Sequence, residues 1–148
     1  MLRRKIGRIL LSTVVVISAV VPIIVDWNQS HVFNPEWVPH ARFHDIMLLI
    51  TFVGIGVVSL WLIWRQSAEP SVGIRAATLL QLFIWGSFYV AVFIPGASPA
   101  AFVNEPPPAQ LAGLPLYPNM VIAIISFTLT ALADWLYHSS DASSKNLE

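Results

Sequence analysis

Four stretches of this chain stay uncharged for nearly the length needed to cross a bilayer, which leaves few folds open. Ile9 to Val25 is a run of 17 residues between Arg8 and Asp26, and Ile46 to Trp64 is a run of 19 closed by Arg65. Ala76 to Ile94 remains apolar until Pro95-Gly96 breaks it, and Leu116 to Ala133 gives the last run before Asp134. A helix needs ~20 residues to span the ~30 Å hydrocarbon layer, where each backbone polar group must find its partner inside the protein. The expected fold is therefore all-α, a four-transmembrane-helix bundle forming one domain over residues 1–138. Its spans are expected at about 9–25, 46–64, 76–94 and 116–133. Residues 139–148 are expected to form a polar tail whose final Leu147-Glu148 has the form of a tag remnant.

Composition agrees with this class. Hydrophobic residues make up 56% of the chain, charged residues 11%, and the mean hydropathy is +0.70. A typical soluble domain is roughly 25% charged. The formal net charge is zero, so no nucleic-acid partner is expected. The absence of cysteine removes disulfides, thiolate metal sites and a cysteine nucleophile. The basic start, Met1 to Lys5, also suits a secretory leader, but no A-x-A-like cleavage site follows the first apolar run, which is expected to remain a span.

Basic residues set the orientation. Arg3, Arg4, Lys5 and Arg8 precede the first span, and Arg65 and Arg75 flank the second link. The first link has Arg42 with Asp26, Glu36 and Asp45, and the third link has no basic residue. The positive-inside rule then places both termini in the cytoplasm of a cell inner membrane protein. Trp27, Trp37, Trp61, Trp64, Tyr117 and Trp135 lie near span ends, as interfacial aromatics do. The third link, Pro95 to Pro118, holds seven of the eleven prolines, including Pro106-Pro107-Pro108; a stiff polyproline path is expected, as a connector or as a lid.

One segment departs from the apolar background: HVFNPEWVPHARFHD, residues 31–45, with three histidines, an arginine and two acids. A helix beginning near Pro39 sets His40 and His44 four residues apart on one face, which continues through Met47, Leu48, Thr51 and Gly54. In the third span Gln81, Trp85 and Tyr89 form another stripe, with Tyr89 roughly 9 Å below the Pro95 stop at 1.5 Å per residue. His44 and Tyr89 are expected to meet across the bundle in its outer half. Three readings of the histidines stand open. They are interfacial residues bonding to loop carbonyls in a small non-catalytic subunit; or His31, His40 and His44 hold a hydrolytic zinc, although the Glu of H-E-x-x-H is absent; or one imidazole holds a haem iron and leaves its sixth position open. Asp134 and His138, also four apart, are expected to form an interfacial ion pair at the opposite end.

Two short patches carry a family resemblance. Ala41-Arg42-Phe43-His44 resembles the A-R-x-H element at the start of the second transmembrane helix of styrene oxide isomerases, whose histidine is the axial ligand of a b-type haem. Trp85-Gly86-Ser87-Phe88-Tyr89 is similar to the tryptophan-to-tyrosine element of their third helix, whose tyrosine lines the substrate pocket. Length, four spans and a Pro/Gly-rich third link are similar too. Six residues after the histidine, where that family has an active-site asparagine, this chain has Ile50, and Thr51 follows.

The resemblance implies haem b on His44, with Arg42 or His40 pairing to its propionates and Trp85 and Phe88 offering aromatic faces. It implies a site between subunits of a homotrimer and a small hydrophobic substrate drawn from the lipid bilayer. The implied reaction is a Lewis-acid opening of an epoxide to a carbonyl compound, with Tyr89 orienting the oxygen and Thr51 as a further candidate.

Overall fold

The computed structural model describes residues 2–100 and 108–145, with no side-chain account at 114 or at 140–145. Four helices account for nearly all of it: α1 (Leu2–Asp26), α2 (Pro39–Trp64), α3 (Pro70–Ala91) and α4 (Pro118–Lys145). All four are long and apolar enough to cross a membrane, so the chain is a multi-pass membrane protein. With four antiparallel crossings, both termini lie at one end, called here the basic end. Residues 27–38 and the third link lie at the other, the histidine end.

The helices start where proline permits. Pro39, Pro70 and Pro118 open α2, α3 and α4, positions at which the missing N–H has no intrahelical partner to lose. Charge did not mark these starts, so α2 and α3 begin six or seven residues before the uncharged runs; α3 also stops at Ala91, short of Ile94. Pro22 lies within α1 without ending it. The segment expected as a polar tail continues α4 as helix to Lys145, while Leu147-Glu148 lies outside the described residues.

Neighbours in sequence pack side by side, α4 closes the ring against α1, and among the described residues α1 and α3 alone also touch across the diagonal. Small residues permit the close approaches. A Cβ on Gly7 would lie 2.7 Å from the Ala133 carbonyl oxygen of α4, and one on Gly73 would lie 2.5 Å from the Leu62 carbonyl oxygen of α2. The core divides into two layers. Leu11, Val15, Ile63, Ile74, Ala77, Ala133 and Tyr137 fill the basic half, and Val14, Ile84, Trp85 and Ala123 the other.

The third link departs from a polyproline path where it is described. Gln110–Leu111 pairs antiparallel with Leu114–Pro115 in a minimal hairpin, turned by Ala112 at φ 50° and Gly113 at φ 81°. Two successive positive φ values match the handedness of a two-residue hairpin turn. Pro106 and Pro107 lie outside the described residues.

Candidate functional site

The link between α1 and α2 is folded by its own backbone and by one buried amide. Val32 N–H returns to the Asp26 carbonyl at 3.1 Å and Phe33 N–H to the Asn28 carbonyl at 2.9 Å. Asn34, 3% exposed, donates to the Ser30 carbonyl and accepts from Glu36 N–H at 2.9 Å. Arg42 reaches back from α2 and donates to the Asn34 carbonyl at 3.0 Å. Arg42 is thus turned toward the link.

The three histidines of this end separate into two places. His31 lies 3.6 Å from the Asp26 carboxylate through Nε2, 2.7 Å from Ser30 Oγ through Nδ1, and edge-on to Trp37. His40 and His44 lie together in the first turns of α2, with their Nε2 atoms 3.0 Å apart and their rings at 84°. Phe43 flanks both rings and is 61% exposed. The expected three-histidine set is therefore not assembled within one chain. Among the described residues no group of three or more His, Asp or Glu side chains is close enough to hold a metal.

The face bearing His40 and His44 looks outward. α2 buries Leu49, Gly56, Ser59 and Ile63, and His44 lies well round the helix from that stripe. Met47, Leu48, Thr51 and Gly54 continue the exposed face, and a Cβ on Gly54 would meet nothing within 4 Å. Thr51 shares the face as expected, with its hydroxyl donating to the Met47 carbonyl at 2.8 Å.

Tyr89 is on the other side of the bundle. Its half-buried ring meets Phe127 of α4 edge-on at 5.7 Å, and its hydroxyl has no hydrogen-bond partner among the described residues. The expected meeting of His44 with Tyr89 is not formed within one chain, because Tyr89 is turned toward α4, at the corner opposite α2, and His44 opens away from the bundle. Trp85, expected to line a ligand pocket, is 3% exposed and donates its indole N–H to Ser18 Oγ at 2.8 Å. Ser18 Oγ in turn lies 2.6 Å from Gln81 Oε1, closing a buried α1–α3 polar cluster. Phe88 stacks on Trp85 at 5.6 Å and is partly exposed. Sequence reasoning passed over Ser18; the available signal was a hydroxyl in the middle of an apolar span, where a polar group needs an internal partner.

Two depressions lie along α3. A groove of about 570 Å³ on its outer surface has Gly86 and Ser87 between Phe83 and Val90, and a cleft of about 160 Å³ lies between Phe88, Pro99, Asn119 and Met120. At the basic end Asp134 accepts from Arg75 at 2.6 Å and lies 3.4 Å from His138 Nδ1, the expected ion pair enlarged by a cation from α3.

A family model described as a family of unknown function (DUF6640) matches residues 10–140. No curated protein and no solved structure matches the chain.

Proposed function

We propose that this chain, which belongs to the DUF6640 family of unknown function, is a haem-binding isomerase of the inner membrane with His44 as its iron ligand. One observation carries the reading. Among the described residues, the His44 imidazole, opening onto the outer, largely apolar face of a membrane helix, has no acceptor or donor from the rest of the bundle, only His40 one turn away. Ionisable groups left without a bundle partner at the margin of a membrane span are functional hypotheses by default. A flat, apolar macrocycle with a metal at its centre suits both parts of that face, the nitrogen and the surface below it.

The residues fit such a group. His44 would supply the iron-binding nitrogen, the side chains of Met47, Leu48 and Thr51 would supply the wall, and Gly54 would leave room for a flat edge. Bound there, ferric haem would supply a Lewis acid to an epoxide oxygen. The chain's own part is to keep that face clear of water and to offer a hydrogen-bond donor to the oxygen as the C–O bond opens. Tyr89 suits the second task because its hydroxyl has no partner among the described residues. Since His44 and Tyr89 do not meet in one chain, we place the site between copies, with α2 of one against α3 of the next in a homotrimer. The groove at Gly86 and Ser87 suits a small hydrophobic substrate arriving from the bilayer. A carbonyl compound is the product, and no redox partner is required.

The test is an absorption spectrum of detergent-purified protein reconstituted with haemin, followed by incubation with aryl and terpenoid epoxides. A Soret band lost in His44→Ala and kept in His31→Ala and His138→Ala is the expected result. A haem-replete protein that converts no epoxide would sink the isomerase assignment, and a protein that takes up no haem would sink the whole reading.

A further inference from the structure

We infer that in the haem-free chain His40 and His44 are a two-nitrogen chelate for a divalent cation of the copper(II) or nickel(II) type, a site that shares His44 with the proposed haem and so competes with it. The first argument is metric. Imidazole nitrogens bind such ions at about 2.0–2.1 Å, so two of them at right angles on one ion lie about 2.8–3.0 Å apart, and at a tetrahedral angle about 3.3–3.4 Å. The Nε2 atoms of His40 and His44 are 3.0 Å apart. That spacing suits adjacent corners of a square-planar or tetragonal site.

The second argument concerns protons. Two neutral imidazoles meeting through Nε2 share one hydrogen, which makes the donor ring the Nε2–H tautomer and the acceptor ring the Nδ1–H tautomer. A cation accepts both Nε2 lone pairs at once, with the donor ring's proton moved to its Nδ1. Neither Nδ1 has a partner within the described residues, so both N–H groups are open to water.

The third argument is access and competition. His40 and His44 are the second and sixth residues of α2 and are exposed at the aqueous margin of the span, so an ion reaches them without crossing the apolar layer. His31, by contrast, is engaged by Asp26 and Ser30. No carboxylate pairs with His40 or His44 among the described residues, and no third protein ligand stands close enough to complete a set. Water fills the remaining positions, which makes the site exchangeable, unlike a closed four-ligand structural site. Copper(II) binds tightest of the first-row divalent ions to such nitrogens.

The experiment is a copper(II) titration of the full chain in detergent, prepared free of haem and read by electron paramagnetic resonance. The expected signal is one tetragonal copper per chain with coupling to two imidazole nitrogens. It should be lost in His40→Ala and in His44→Ala, and kept in His31→Ala and His138→Ala, with circular dichroism confirming that all four variants are folded. Haemin uptake is measured in parallel, where His40→Ala should still load and His44→Ala should not. Unchanged copper coupling in His40→Ala, or no more copper in the wild type than in the double variant, overturns the chelate whatever haemin does. Copper binding without haemin uptake supports the chelate and sinks the haem reading alone.

Discussion

Trp85 donates its indole N–H to Ser18 Oγ at 2.8 Å, a buried bond that ties α3 to α1 across the diagonal of the bundle. The same hydroxyl reaches Gln81 Oε1 at 2.6 Å, so one serine serves two α3 side chains. In an apolar layer neither partner has water as an alternative. Ser18→Ala is expected to lower stability by about 1–2 kcal/mol, the upper part of the range for interhelical hydrogen bonds in membranes. Unfolding in mixed detergent micelles measures it, and Trp85→Phe added to Ser18→Ala should cost less than the two separate losses combined.

Glycines on the two sides of α2 and α3 should respond oppositely. A Cβ on Gly73 meets the Leu62 backbone at 2.5 Å, so Gly73→Ala must push α3 off α2 and should cost about 1–3 kcal/mol. Gly54 faces outward with open space around it, so Gly54→Ala should be neutral, or stabilising by about 0.5–1 kcal/mol through helix propensity. Equal losses at both positions would mean that the packing of α2 against α3 is wrongly described.

Haem retention should tell a different story at that same outer face. Gly54→Leu leaves the fold intact but fills the space below His44, and should reduce haemin uptake measured by the Soret absorbance. Uptake equal to wild type would move the macrocycle away from α2.

Tyr89→Phe keeps the ring against Phe127 and removes only the hydroxyl. Losing one donor to a developing oxyanion costs about 2.7–4 kcal/mol, roughly 10²–10³ in rate. Haem content and folding should be unchanged while epoxide turnover falls by that factor. Full activity in the variant would remove Tyr89 from the mechanism.

Orientation follows from the basic residues of the termini and the second link. Cysteines placed at Ser30 and Ala97 should react with an impermeant thiol reagent added outside the cell, and both termini should be protected. Labelling only after permeabilisation would invert the protein.

The number and class of the elements were legible in the chain because the bilayer sets one length and one polarity for every span. The stretches from Ile9, Ile46, Ala76 and Leu116 each lie within one of the four helices or overrun its end by only a few residues. The shared face of His40, His44 and Thr51 was legible too, since helical periodicity alone fixes which residues lie above one another. Direction was not. A membrane helix is apolar on every side, so hydropathy gives no contrast between the face that meets another helix and the face that meets lipid. The close packing of Gly73 on Leu62 and of Gly7 on Ala133 decided that, and with it that His44 turns out while Trp85 turns in. The partners of Ser18, Arg42 and His31 were likewise beyond periodicity, because each lies on another element or in a folded link whose path depends on backbone hydrogen bonds. Sequence thus determined which residues share a helix face, and tertiary packing determined what each face looks at.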